Sequence, residues 1–201
     1  MYSVLGHQNK TKKYVGVSLL TALAIVFASL RIPIPFPILP YLKFDITEIP
    51  IFIVLIFYGF KYSVISSVLY WIILLNIGEF TPIGPTMKFL AILSTLAGYT
   101  IGYKVSRSNI VGLVCSAIVR VIVMSIMNYI VLVILMPGGI DWAASFIFKI
   151  LGLNLVSYYE KFLLVLTFTM IFNILHTIIT IVPSNYISSI LIRRLKLIVK
   201  S

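Results

Sequence analysis

Long apolar runs broken by short polar stretches recur along the whole chain. They read as 14–30, 49–60, 62–78, 89–105, 110–136 and, within a longer apolar stretch that ends at Leu191, 170–191. A helix that crosses a bilayer needs about 20 predominantly apolar residues, so the pattern predicts an all-α integral membrane protein. Runs 49–60 and 62–78 are long for one span and short for two, and Gly59 and Lys61 offer a turn between them. The breaks at 31–48 and 137–165 are the longest. In the second, Trp142, Tyr158 and Tyr159 are ring types that gather at a membrane–water interface.

Charge decides the span count. Counting 49–60 and 62–78 as a hairpin gives six spans with both termini on one side. That side then holds Lys10, Lys12, Lys13, Lys61, Lys104, Arg107, Arg193, Arg194, Lys196 and Lys200, and no acid. The other side holds Arg31, Lys43, Lys88, Lys149 and Lys161 together with all the acids: Asp45, Glu48, Glu79, Asp141 and Glu160. Lys and Arg collect in cytoplasmic loops, so the expectation is a six-transmembrane-helix bundle, 1–201 as a single membrane domain, with N- and C-termini cytoplasmic. A net charge of +11 would point to nucleic acid in a soluble protein; here its sidedness accounts for it. The basic start before an apolar run also resembles a signal peptide, but five further runs follow and no small-residue cleavage site precedes 31–48.

The first break, RIPIPFPILPYLKFDITEIP (31–50), holds five prolines between 33 and 50 and ends in charges. Each proline fixes φ and removes an N–H donor, and restricts the residue before it. Pro33–Pro40 is therefore expected neither to pair as a strand nor to continue a helix. A stiff segment loses little entropy on ordering, so this loop suits a lid over an apolar ligand better than a plain connector.

Few polar residues interrupt the runs. Asn128 lies in the fifth, and Asn173 and His176 lie in the sixth, three apart and so on one helix face. Intramembrane polar groups face the protein interior and mark candidate sites, although interhelical hydrogen bonding is the plainer use of an asparagine. Arg120 is also mid-run and receives no role. Ala24 with Ala28, and Gly98 with Gly102, form small-x-x-x-small pairs that let helices approach closely, inside the protein or against a partner. Cys115 is the single cysteine, so no internal disulfide forms. No Walker A sequence, H-E-x-x-H motif or zinc-ligand set is present. With every acid counted near an outer loop, a buried carboxylate pair for ion coupling is not expected. An enzyme and a self-powered transporter are thus unsupported, and a binding subunit remains.

The stretch YLKFDITEIPIFIVLIFYGF (41–60) resembles the riboflavin-specific substrate-binding (S) components of energy-coupling-factor (ECF) vitamin transporters, which carry a proline-rich loop followed by Y-L-K-x-D-x-S-D-x-P and a short helix. The likeness continues through GPTMKFLA (84–91), VMSIMNY (123–129) and FNILH (172–176) in the same order. It implies a non-enzymatic six-helix subunit in a prokaryotic cell membrane that binds its vitamin under the first loop. It implies as partners an ECF transmembrane scaffold protein and two cytoplasmic ATPase subunits, and no cofactor or nucleic acid. Ala24 and Ala28 match the family's Ala-x-x-x-Ala scaffold-docking motif, and Asn128 and Asn173 match its asparagines in the fifth and sixth helices.

The chain departs from the family twice. His176 stands where the family carries Lys, and Lys88-Phe89 stands where it carries Asn-Phe. The implied ligand is riboflavin, with a different vitamin, or no small molecule at all in a purely structural subunit, as the alternatives. Asn128, Asn173 and His176 are expected to bind the ligand's polar parts, with Lys88 adding a cation nearby. Phe36, Leu39, Tyr41 and Phe89 are expected to enclose its ring, and Asp45 to anchor the loop, with Lys43, to the helix below.

Overall fold

The computed structural model describes residues 10–30, 32–152 and 157–200, with side chains up to Arg194. Arg31 and the 153–156 part of the outer segment lie outside the described residues. The helices are α1 (Lys10–Ser29), α2 (Glu48–Tyr58), α3 (Phe60–Ile77), α4 (Ile83–Ser106), α5 (Asn109–Tyr129), α6 (Gly139–Leu151) and α7 (Tyr158–Lys200). A single π-helical stretch, Ile130–Leu135, extends α5. By length and composition α1, α3, α5 with its extension, and α7 are able to cross a membrane.

The doubtful second and third runs are separate helices that meet at Gly59, whose φ of +91° suits a residue without Cβ. Apolar on all sides, α2 is the kind of helix a bundle encloses. Residues 50–57 of α2 are all buried, packed mainly by α1, α3 and α7. Ile51, Phe52 and Leu55 form one core with Ala24 of α1, Tyr70 of α3, Leu96 and Tyr99 of α4, and Ile181 of α7. At about 1.5 Å per residue, an α2 of 11 residues falls well short of a bilayer core.

The two small-residue pairs serve the interior. A Cβ on Gly98 would lie 2.6 Å from Ser116 Cα, and one on Gly102 2.6 Å from the Val111 carbonyl oxygen. Both glycines thus let α4 and α5 touch backbone to backbone. Ala24 is fully buried in the core that includes Ile51, Phe52 and Leu55 of α2, and Ala28 is half-buried against it.

Three features differ from the sequence expectation. The proline loop does pair: Ile34–Pro35 (β1) and Lys43–Phe44 (β2) form a two-residue antiparallel ladder, extended by the Phe36 N–H donating to the Leu42 carbonyl at 2.7 Å. A ladder this short places no demand on Pro35 for an N–H, since proline is tolerated at strand edges. Next, the outer segment contains a helix. In α6, Ile140, Ala143, Ala144 and Ile147 are buried, an i, i+3, i+4, i+7 stripe that uniform apolarity does not reveal. Finally, α7 starts at Tyr158 and continues without a break through Pro183. Its first turns carry Phe162, Val165 and Phe168, which pack on α6 and the loop.

Candidate functional site

The loop between α1 and α2 is held by side chains of α3, α4 and α7, and Asp45 is its anchor. Asp45 Oδ1 accepts the Thr47 N–H at 3.0 Å and the Thr47 hydroxyl. Its Oδ2 accepts from Lys88 Nζ on α4. Tyr70 of α3 donates to the Thr47 hydroxyl at 2.8 Å, and Lys88 Nζ sits 5.5 Å from the Tyr70 ring centre. Burial acts to raise the Asp45 carboxyl, but the Lys88 ammonium beside it and the bonds from Lys88 and Thr47 outweigh this. They hold it down at about 2, against an ordinary 3.8. The anchoring cation is therefore Lys88, whereas Lys43 pairs with Glu79 just after the end of α3.

Aromatic contacts pin the rest of the loop. The Phe44 ring lies 4.7 Å from Phe172 of α7 and Phe36 lies 5.7 Å from it. Tyr41 lies 5.0 Å from Trp142 of α6. Burial pushes the Tyr41 phenol up, so it remains a neutral hydroxyl. That hydroxyl and the one on Thr169 neighbour each other without meeting at hydrogen-bond geometry, and both are buried with no other partner among the described residues.

Beneath the loop is a cavity of about 140 Å³. Leu42, Met87, Ala91, Met124 and Phe172 supply apolar wall; Asn128, Asn173, Arg120, His176, Glu48, Asp45, Lys88 and Tyr41 supply polar wall. Asn128 donates to the Met124 carbonyl at 2.8 Å, which leaves its side-chain oxygen for the cavity. Asn173 donates to the Thr169 carbonyl at 2.9 Å and accepts from Arg120 Nε at 3.2 Å. Within that polar wall, Arg120 and Glu48, each 2% exposed, form a two-pronged ion pair at 2.7 and 3.1 Å, and Thr180 donates to the same carboxylate at 3.2 Å. A larger cleft of about 480 Å³ lies on the other side of the loop between the ends of α1, α3 and α4, and shares Tyr41, Lys43, Asp45 and Lys88 with the cavity as common wall.

Six of the nine ligand residues expected from sequence meet here: Tyr41, Asp45, Lys88, Asn128, Asn173 and His176. The other three stand elsewhere. Phe36 and Leu39 are buried in the cluster under α6, and Phe89 stacks on Trp71 of α3 at 5.1 Å. Sequence reasoning missed Glu48 and Arg120. By sequence Glu48 falls among the outer charges, yet it opens an enclosed helix and is buried with it. An isolated charge in an apolar run was the available signal for Arg120.

A family profile described as ECF transporter, substrate-specific component, matches residues 12–184. The chain is 34% identical over 132 residues to the riboflavin transporter RibU of Staphylococcus aureus (strain TCH60), covering 63% of this chain and 68% of that one. It is 32% identical over 133 residues to the riboflavin transporter FmnP of Bacillus subtilis (strain 168), covering 61% and 67% respectively. Among solved structures, the S component of a bacterial ECF transporter superposes with a TM-score of 0.66 at 26% identity, over 96% of this chain and all of the other.

Proposed function

The chain belongs to the family of substrate-specific components of ECF transporters, and from that premise we propose that it captures riboflavin beneath its first loop at the outer face of a bacterial cell membrane. As an S component it is a substrate-binding subunit of a transporter, a family of binding proteins and not of enzymes. The observation that carries the ligand reading is the composition of the loop-covered cavity. A flavin has flat apolar faces, for which Leu42, Met124 and Phe172 are suitable walls. It has a carbonyl- and N–H-bearing edge and a hydroxylated chain, for which Asn128, Asn173, Lys88 and the Tyr41 hydroxyl are suitable partners. Pockets of this kind combine mostly apolar lining with a few placed polar groups.

Size supports a moving loop. Pockets for small-molecule ligands enclose about 300 Å³ or more, and the inner cavity offers about 140 Å³. The four residues shared with the outer cleft belong to the loop or to its anchor, so displacing the loop merges the two spaces. The loop thus acts as a lid, opening to admit the ligand and closing over it. We read the long helices with α2 and α4 as six spans, both termini cytoplasmic, on the strength of the one-sided Lys and Arg distribution. Delivery across the membrane then falls to a membrane scaffold protein and two cytoplasmic ATPase subunits. Because Ala24 is enclosed, α1 meets the scaffold through its outer face and not through Ala24.

A thermal-shift panel of water-soluble vitamins on the purified protein tests the ligand. Riboflavin is expected to raise the unfolding temperature in a concentration-dependent way, since a ligand at about 100 times its Kd adds about 2.7 kcal/mol to the folded state. A shift from another vitamin with none from riboflavin would refute the flavin assignment and keep the capture role; no shift from any would favour a purely structural subunit.

A further inference from the structure

Arg120 is the hub of the inner wall. A guanidinium has five N–H donors in a planar fork, and here all five have an acceptor. Two meet the Glu48 carboxylate at 2.7 and 3.1 Å, and one meets Thr95 Oγ1 at 3.0 Å. Nε meets Asn173 Oδ1 at 3.2 Å, and Nη2 also meets His176 Nδ1 at 3.1 Å. The last contact is a hydrogen bond only while Nδ1 carries no proton. The ring proton then sits on Nε2, and both groups facing Nε2 are acceptors: the backbone oxygen of Asp45 at 3.3 Å and Glu48 Oε1 at 3.6 Å. The surrounding partners thus select one tautomer, and that tautomer reaches across to the loop. Asp45 is gripped twice, through its carboxylate by Lys88 and Thr47 and through its carbonyl by His176. With both ring nitrogens engaged by the protein, His176 serves here as a loop latch.

We propose that Arg120 is a positioning residue for ligand retention: held by Glu48, its guanidinium fixes the His176 tautomer that latches the loop at Asp45 and orients the Asn173 amide in the cavity wall. Only the retention step rests on the riboflavin reading; the tautomer is a property of the ligand-free chain.

Arg120→Lys tests this. Lysine still neutralises Glu48, but as a single point charge without the planar fork it cannot hold Glu48, Asn173 and His176 together. The sequence has two histidines, His7 and His176, so [15N]histidine labelling in a His7→Gln background reports on His176 alone. The parent is expected to show one Nε2–H tautomer with or without ligand. Arg120→Lys is expected to show mixed tautomers and to release riboflavin roughly tenfold faster, the loss of about one well-formed hydrogen bond. Should Arg120→Lys not fold, the double variant Arg120→Gln/Glu48→Gln removes both charges as a pair and carries the same expectations. An unchanged tautomer, or an unchanged release rate despite a mixed tautomer, overturns the inference. A parent that binds no riboflavin, with the tautomer nonetheless lost on substitution, overturns the ligand reading and leaves the positioning role standing.

Discussion

Replacing Asp45 with Asn tests how the loop is held, one residue at a time. The carboxyl at about 2, against 3.8 ordinarily, corresponds to about 2 kcal/mol of anchoring. Since the folded value is the lower one, that stabilisation is complete above about pH 4 and is lost as the pH falls through about 2. Asp45 therefore adds no pH dependence in the neutral range. Asp45→Asn is expected to speed riboflavin release by the same factor at about pH 5.5 and about pH 8, read by stopped-flow fluorescence; a factor that changes between them would show that the anchor titrates there. The Glu48–Arg120 pair behaves differently, because neither side chain reaches water. Glu48→Gln alone strands a cation in the interior and is expected to cost about 3–5 kcal/mol of stability, whereas the double Gln variant is expected to recover most of it in thermal unfolding. The sequence pointed to the asparagines and to Asp45 because those residue types stand out against apolar neighbours. It did not reveal that Glu48, four residues before Phe52, turns inward to meet a cation 72 positions away, since that is a fact of helix packing alone.

The elements were legible where one physical signal dominated. Uniform apolarity located α1, α3, α5 and the core of α7, and the one-sided distribution of basic residues, with a turn available at Gly59, separated α2 from α3. Mixed signals hid the rest. The amphipathic stripe of α6 is too short and too polar on its outer face to register as a span, although it supplies the floor on which the loop rests. Trp142→Ala removes the Tyr41 contact from that floor, and is expected to quicken riboflavin release a few-fold, by roughly the 0.5–1.5 kcal/mol of an aromatic pair, while leaving secondary structure by circular dichroism unchanged. Gly98 tests the opposite kind of contact. Gly98→Val drives a side chain into the Ser116 backbone of α5 and is expected to abolish a monodisperse folded species in size-exclusion chromatography; a well-folded variant would show that α4 and α5 can part at no cost.

At the scale of the whole molecule, a helical bundle closes one end with a short ladder and an amphipathic helix. The six-span reading rests on the one-sided basic residues; by length and composition four of the described helices are able to cross a membrane, and α2 is shorter than a bilayer is thick. What the sequence could not show is the register between helices, which decides that Phe89 turns to Trp71 while Lys88 turns to the loop. Capture beneath the loop requires Asn128 and Asn173, from α5 and α7, to face one ligand. A riboflavin fluorescence titration compares the parent chain with the Asn128→Leu/Asn173→Leu variant, the two matched for folding by thermal unfolding. A shared site gives saturable, equimolar quenching by the parent and an affinity at least about tenfold weaker in the variant. Equal quenching by the two proteins would contradict it.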